Sequence, residues 1–197
     1  MYHDIVPSHL FINTFSGFLK LRQRSSSMKK HLSKITPLLF GLITIFPNIT
    51  YSETVSPAAN GINYPTGLKN WRVISTSYRT DNNTQRVILG NSIAIKASRS
   101  GQTNPWPKGS ILAKLVWKNS QHPLWDAAIV PGEFVHSEIM IKDPDKYKTT
   151  KGWGYARWKG EQQQPYGKDD AFAQECLSCH TQAKNSDYVF TIPAKIP

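Results

Sequence analysis

The two cysteines of this chain lie close together near its C-terminal end, as Cys176-Leu177-Ser178-Cys179, and His180 follows directly. The chain has no other cysteine. Two thiols at this spacing lie near one another on one helical turn, where each can add to a vinyl group of haem. The adjacent histidine can bind the iron as an axial ligand. The motif therefore predicts covalently attached haem c on Cys176 and Cys179, with His180 on the iron.

Other uses of a C-x-x-C pair fit this chain less well. A thioredoxin-like redox pair usually lies at the start of a helix that follows a strand, and it needs no adjacent histidine. A structural zinc site needs four ligands, and the chain has no second cysteine pair. A disulfide between such close positions would be strained. Haem attachment is therefore the preferred interpretation.

The N-terminal region has the pattern of an export signal. Residues 28–30 form a charged start, an apolar run extends over residues 35–46, and small and polar residues follow as far as Ser52. This order predicts a signal peptide over residues 28–52, with cleavage after Ser52, and a location in the periplasm. An uncleaved N-terminal anchor is the alternative.

The export signal also predicts the domain organisation. Residues 1–27 precede the start of the signal and are interpreted as a mis-called N-terminal extension. Residues 53–197 remain, enough for a single haem domain with one core. Because haem is attached covalently outside the cytoplasmic membrane in bacteria, the export signal and the cysteine motif support each other.

The chain is basic, with 24 Lys and Arg against 13 Asp and Glu, a formal net charge of +11. Residues 53–197 alone carry 18 Lys and Arg against 12 Asp and Glu, a net charge of +6. The basic residues are scattered and form no block. No recognised nucleic-acid-binding motif accompanies the charge, so no nucleic-acid partner is expected. A basic surface would instead steer the protein toward an acidic electron-accepting partner.

Several segments upstream of the cysteines alternate in period two or are rich in β-branched and aromatic residues, which is typical of strands. The strand candidates are residues 71–78, 86–96, 111–118, 134–142 and 153–159, with a further extended segment at 188–191. Residues 93–98 could instead begin a short helix, and residues 169–179 predict a helix that carries the cysteines. The pattern predicts a mainly β fold of the α+β class, an antiparallel sheet of four or five strands with flanking helices and the haem-binding helix near the C-terminus.

The order and spacing of several short segments resemble those of one protein family. The segments are Tyr64-Pro65, Asn70-Trp71, residues 108–114, 137–143, 152–155 and 175–180, and Asp187-Tyr188-Val189-Phe190-Thr191. On these segments the chain resembles the cytochrome P-460 and cytochrome c′-β proteins over roughly residues 64–191. The resemblance implies a β-rich, homodimeric, periplasmic monohaem protein. It also implies five-coordinate iron with the motif histidine proximal and an open distal side.

Lys114 distinguishes the two branches that the resemblance implies. In the P-460 branch a lysine is cross-linked to the haem edge, and the members oxidise hydroxylamine to nitrogen oxides. In the c′-β branch the lysine is absent, and the protein binds gases such as nitric oxide. Lys114 matches the cross-linking lysine and shares a strand face with Leu112 and Val116, where an unpaired ammonium would be costly to bury. An ordinary edge-strand lysine is the alternative.

The resemblance also implies two further catalytic residues. Glu138 matches a distal carboxylate that would remove protons from bound hydroxylamine, and apolar neighbours would raise its pKa for that role. Arg86 matches a distal arginine, although a small insertion precedes Lys114. The alternatives are a surface glutamate paired with Lys or Arg, and a surface strand arginine. His136 is either a distal hydrogen bonder or an ordinary imidazole, and Met140 is either a sixth iron ligand or core filler.

Together these features predict a haem-dependent hydroxylamine oxidoreductase that passes electrons to an electron-accepting cytochrome. Two alternatives stay open. The protein could bind nitric oxide or a similar gas without turnover. It could also be a simple electron carrier, which would need six-coordinate iron.

Overall fold

Six antiparallel strands form one sheet in the part of the chain that the computed structural model describes, residues 54–197. The strands lie in the sheet in the order in which they follow one another along the chain. They are β1 (Arg72–Arg79), β2 (Thr84–Gly90), β3 (Ile111–Gln121), β4 (Ile129–Lys142), β5 (Trp153–Lys159) and β6 (Gln164–Pro165). Helix α1 (Ser92–Ser100) connects β2 to β3, and helix α2 (Phe172–His180) follows the sheet. Short 3-10 turns cover Leu68–Asn70, Lys148–Thr150 and Thr181–Ser186.

The predicted fold class is confirmed. The structure is mainly β, with an antiparallel sheet and the cysteine-bearing helix near the C-terminus. The sheet has six strands rather than four or five, because the two residues of β6 pair with the end of β5. The predicted signal peptide over residues 28–52 and the extension over residues 1–27 lie outside the described residues. Within residues 54–197, no helix has the length and apolar character needed to cross a membrane.

The prediction of one strand over residues 86–96 is wrong, and the alternative of a short helix in residues 93–98 is confirmed. Strand β2 ends at Gly90, and Asn91 then starts helix α1 because its side-chain oxygen accepts a hydrogen bond from Ala94 N at 3.0 Å. The helix ends at Gly101, whose left-handed φ of 75° suits a residue without a Cβ. Ile95 therefore packs into the core from a helix and Ile93 lies exposed on it, because a local cap outweighed their strand propensity.

Two other local predictions need correction. The helix predicted over residues 169–179 begins three residues later, at Phe172, and extends to His180. Asp169 accepts a hydrogen bond from Ala171 N at 2.9 Å in the turn before the helix. Gly167 is required there, because a Cβ would lie 2.6 Å from the Phe172 ring. The extended segment predicted at residues 188–191 is not a strand of this sheet and begins with a left-handed residue.

One face of the sheet, the packed face, is covered by the segment before β1 and by Phe172 of α2. In its centre Ala113, Ile139 and Ala156 are cross-strand neighbours on β3, β4 and β5, and all three are buried. We call these three residues the apolar row. Trp158 on the same face is fully buried, and its indole N–H donates to Ser56 O at 2.8 Å. The opposite face of β1 to β5, the cavity face, carries the candidate site.

Candidate functional site

A cavity of about 930 Å³ lies between the cavity face and helix α2. Its volume is near the upper end of the range of about 300–1,000 Å³ that is typical of ligand and cofactor pockets. All of the site residues predicted from the sequence line it: Arg86, Lys114, Glu138, Cys176, Cys179 and His180. Residues that are up to 94 positions apart in the chain therefore meet in one cavity.

His180, the last residue of α2, is held on both sides. Its Nδ1 lies 2.7 Å from the carbonyl oxygen of Tyr188, so Nδ1 carries the proton and donates. The ring lies between the rings of Tyr155 and Phe190, at centroid distances of 5.2 and 5.3 Å. Burial lowers the pKa of His180, although the bond to Tyr188 opposes the shift. The imidazole is therefore neutral, with Nε2 as the nitrogen available to a metal.

Both cysteines face the cavity from one turn of α2. Cys176 is half-buried, Cys179 is exposed, and neither forms a disulfide within the described part of the chain. Burial raises the pKa of the Cys176 thiol. A redox-active C-x-x-C pair depends on a thiol whose pKa is lowered. The environment of Cys176 therefore disfavours the thioredoxin-like interpretation.

Lys114, Glu138 and Arg157 are cross-strand neighbours on β3, β4 and β5 of the cavity face, and we call them the ionic row. Glu138 is only 17% exposed. One of its carboxylate oxygens pairs with Lys114 Nζ. The other lies 2.5 Å from Arg157 Nη2 and 3.4 Å from His136 Nε2. Lys114 is therefore not an ordinary edge-strand lysine, since β3 is internal to the sheet and its ammonium is paired inside the cavity.

The expectation that the surroundings raise the pKa of Glu138 is wrong. Burial alone would raise that pKa, but the positive charges of Lys114 and Arg157 lower it to about 2. The error has a physical cause. The apolar neighbours of Glu138 are visible in its own strand, whereas both cations that lower its pKa come from the neighbouring strands β3 and β5. Burial also lowers the pKa of His136 to about 4, so this imidazole is neutral at pH 7.

The cavity suits an apolar macrocycle that carries acidic groups. Its apolar lining includes Ile88, Leu112, Met140 and Val189. Its charged lining consists of four cations, Arg79, Arg86, Lys114 and Arg157, and two carboxylates, Glu138 and Glu175. Three buried polar atoms in the wall have no hydrogen-bond partner among residues 54–197: Arg86 Nε, Arg157 Nε and Tyr155 Oη. Haem, with its apolar ring and two propionates, matches this combination of surfaces and unpaired donors.

The family model described as cytochrome P460 matches residues 65–191. The chain belongs to the cytochrome P460 family. The resemblance drawn from the short sequence segments is thereby confirmed. No match was found among curated proteins.

Membership of the cytochrome P460 family makes this chain a haem-binding, iron-containing cytochrome. The geometry agrees, because the cysteine motif, a neutral histidine and a cationic cavity lie together. Covalent attachment through Cys176 and Cys179 and the ligation of iron by His180 stay predictions.

In this cytochrome P460 domain Arg86 lies at the cavity wall, partly buried. Burial lowers its pKa, and its Nη2 makes one contact, 3.4 Å to Thr84 Oγ1. It forms no ion pair with a described residue. Met140 also lines the cavity and packs against the core beside α2. Both positions agree with contact to a bound haem.

Sequence reasoning did not single out Arg157 as a site residue. Its period-two alternation with Tyr155 along β5 places both on one face, which was the available signal. Which face of the sheet Arg157 occupies, and which residue it pairs with, depend on the register between β5 and β4. Neither strand's sequence alone determines that register. The carbonyl of Tyr188 had no sequence signal, because any residue could supply it.

Proposed function

We propose that this member of the cytochrome P460 family is a haem-dependent oxidoreductase. In this proposal it oxidises hydroxylamine, or a related small nitrogen species, to nitrogen oxides. Haem c is bound covalently through Cys176 and Cys179, and His180 is the axial ligand. The observation that carries the proposal is the ionic row, which places an amine and a carboxylate in the same cavity as His180.

When bound, haem supplies a redox-active iron that can take electrons from the substrate nitrogen. The chain supplies proton transfer and orientation. Hydroxylamine loses protons together with electrons, so a base must lie within reach, and Glu138 is the carboxylate in the ionic row. Arg157 fixes the position of that carboxylate at 2.5 Å. Tyr188 fixes His180 in the tautomer that leaves Nε2 free for a metal.

The state of Lys114 would set how strong a base Glu138 is. As an ammonium, Lys114 is the first of the cations that lower the pKa of Glu138 to about 2. If its nitrogen is bonded to the macrocycle edge, as the resemblance to the P-460 branch implies, that positive charge is lost. Arg157 then remains as the nearest cation, and we expect the pKa of Glu138 to rise toward the range of an effective proton acceptor.

A second candidate function is the binding of nitric oxide without turnover, and the ion pairing of Glu138 favours it. A carboxylate whose pKa is about 2 is a weak proton acceptor at neutral pH. If Lys114 keeps its charge, the ionic row is better suited to holding a ligand in a polar pocket than to removing its protons. The two candidates therefore differ in the chemistry of one side chain.

The deciding experiment uses the protein produced with a c-type haem maturation system. Mass spectrometry of a protease digest should find haem on the peptide with Cys176 and Cys179, and a bond between the macrocycle and Lys114. Steady hydroxylamine consumption with an artificial electron acceptor should accompany that bond. An unlinked Lys114 with nitric oxide binding and no turnover would support the second candidate. A colourless protein, or a low-spin spectrum that added ligands leave unchanged, would contradict both candidates.

Three further properties belong to the proposal. The export pattern of residues 28–52 supports a periplasmic location, and the net charge of +6 over residues 53–197 supports an acidic cytochrome as the electron acceptor. The family resemblance supports a homodimer. Haem staining of periplasmic extracts and light scattering of the purified protein test the location and the oligomeric state.

A further inference from the structure

Two consecutive residues, Asp187 and Tyr188, have left-handed backbone conformations, with φ of 53° and 62°. Such conformations are uncommon for residues with a Cβ, and they persist only where surrounding contacts hold them. The carbonyl of Tyr188 is the group that accepts the hydrogen bond from His180 Nδ1 at 2.7 Å. The strained turn therefore delivers an acceptor to the predicted axial ligand.

Every oxygen of Asp187 is used in holding this turn. Its Oδ1 lies 2.6 Å from Lys142 Nζ, and its Oδ2 accepts from Trp106 N at 2.9 Å. Its backbone carbonyl accepts from Trp153 Nε1 at 2.8 Å. These bonds tie the turn to the last residue of β4, the first residue of β5 and the loop before β3.

The ion pair between Lys142 and Asp187 is the most deeply buried one in the described part of the chain. The two side chains are 6% and 10% exposed, and Lys142 Nζ lies 4.9 Å from the centroid of the Trp153 ring. A buried ion pair contributes little net stability, because desolvation opposes the attraction, but its geometry is specific. Neither side chain lines the cavity, so neither touches a ligand bound there.

We propose that Lys142 and Asp187 are positioning residues that set the strength of the bond between His180 and the iron. They hold the Tyr188 carbonyl against Nδ1, and the hydrogen bond makes the imidazole a stronger ligand. A stronger axial ligand stabilises the oxidised iron. This inference rests on the proposed role of His180 as axial ligand.

The sign of the change in midpoint potential distinguishes a positioning role from a direct electrostatic effect of the two charges on the iron. If the pair acts through the Tyr188 carbonyl, Lys142→Met and Asp187→Asn both loosen the turn. Both variants then raise the midpoint potential and lower the Fe–His stretching frequency in the resonance Raman spectrum. If the two charges act on the iron only through space, removal of a cation and removal of an anion shift the potential in opposite directions.

The experiment compares haem-loaded variants by potentiometry and resonance Raman spectroscopy. The controls are Lys108→Met and Asp145→Asn, which remove an exposed Lys–Asp pair and should change neither reading. Each single variant leaves one buried charge unpaired and could prevent folding. The double variant Lys142→Met/Asp187→Asn removes both charges, and it is expected to show the lower stretching frequency and the higher potential.

Opposite shifts in the single variants, or an unchanged double variant, would overturn the inference. A tenfold loss of preference for the oxidised iron corresponds to a shift of about 59 mV. A failure of the proposed function itself would give a different result. In that case the unmodified protein would hold no haem or would show no Fe–His stretching band. Haem retained with unaltered Raman and potential values in the variants would refute only the positioning role.

Discussion

The apolar row and the ionic row lie one residue apart on the same three strands. Their backbone geometry is therefore the same, but their side chains point to opposite faces of the sheet. The apolar row is buried against the segment before β1, where removal of apolar surface from water contributes about 25 cal/mol per Å². The ionic row is only partly buried, and each of its charges loses solvation. The apolar row therefore stabilises the fold, whereas the ionic row lowers its stability.

This difference identifies the functional face. Buried or half-buried ion groups are often no better for stability than apolar residues of the same volume. A row of two cations and one carboxylate, beside a third cation (Arg86) that has no acidic partner within residues 54–197, is thus poorly explained by folding alone. A bound anionic cofactor and a reaction that moves protons account for it. Substitutions on one face at a time therefore test the two rows separately.

The largest effect is expected on the cavity side of the molecule, from Cys176→Ala/Cys179→Ala. This variant should lose all thioether-linked haem, and with it the haem to which Lys114 would bond, because no other thiol exists in the chain. Haem staining after denaturing electrophoresis measures the loss. The sheet should persist in circular dichroism spectra, since the apolar row is on the other face. Haem staining equal to that of the unmodified protein would refute the attachment site.

Glu138→Gln should lower hydroxylamine turnover by roughly 100- to 10,000-fold, the contribution typical of a general base. Haem content should not change, because the glutamine fills the same space in the ionic row. The matched control is Glu133→Gln, an exposed residue on the same strand, which should keep the full rate. Equal rates in the two variants would exclude Glu138 as the base.

On the packed face, Trp158→Ala should lower the free energy of unfolding by about 3–5 kcal/mol, as measured by urea denaturation. The indole is fully buried, meets Tyr64 edge-on at 5.1 Å and donates to Ser56 O. Trp125→Ala, in the exposed loop between β3 and β4, is the matched control and should change stability by less than about 0.5 kcal/mol. Similar losses in both variants would show that the packed face is not the main core.

His136 should produce the smallest effect, a pH dependence of stability. Its pKa is about 4 in the folded protein and about 6.5 when unfolded, so protonation favours unfolding. Stability should be full above pH 6.5 and fall as the pH drops toward 4, by roughly 2 kcal/mol after allowance for the exposed part of the ring. His136→Gln should flatten this window, whereas His122→Gln should not. An unchanged slope in His136→Gln would show that the ring is not buried as an uncharged group.

Local patterns in the sequence determined several parts of this molecule. The spacing of Cys176, Cys179 and His180 specifies one turn of helix, and such a pattern needs no tertiary contact to be recognised. Period-two alternation places Lys114 on the face of Leu112 in any register of the sheet, so the division of strand β3 into two faces was predictable. The sequence left residues 93–98 open between strand and helix, because the choice depends on a single capping side chain, that of Asn91.

Tertiary structure alone decided which groups meet. The pairing of β3, β4 and β5 brings Lys114, Glu138 and Arg157 side by side, and a slip of one residue would send Glu138 to the opposite face. That register fixes the distances between charges, and those distances determine that the pKa of Glu138 falls instead of rising. The sequence shows which side chains can share a face of one strand. Only the folded chain shows which charges neutralise one another, because Coulomb energy depends on separation in space and not on separation along the chain.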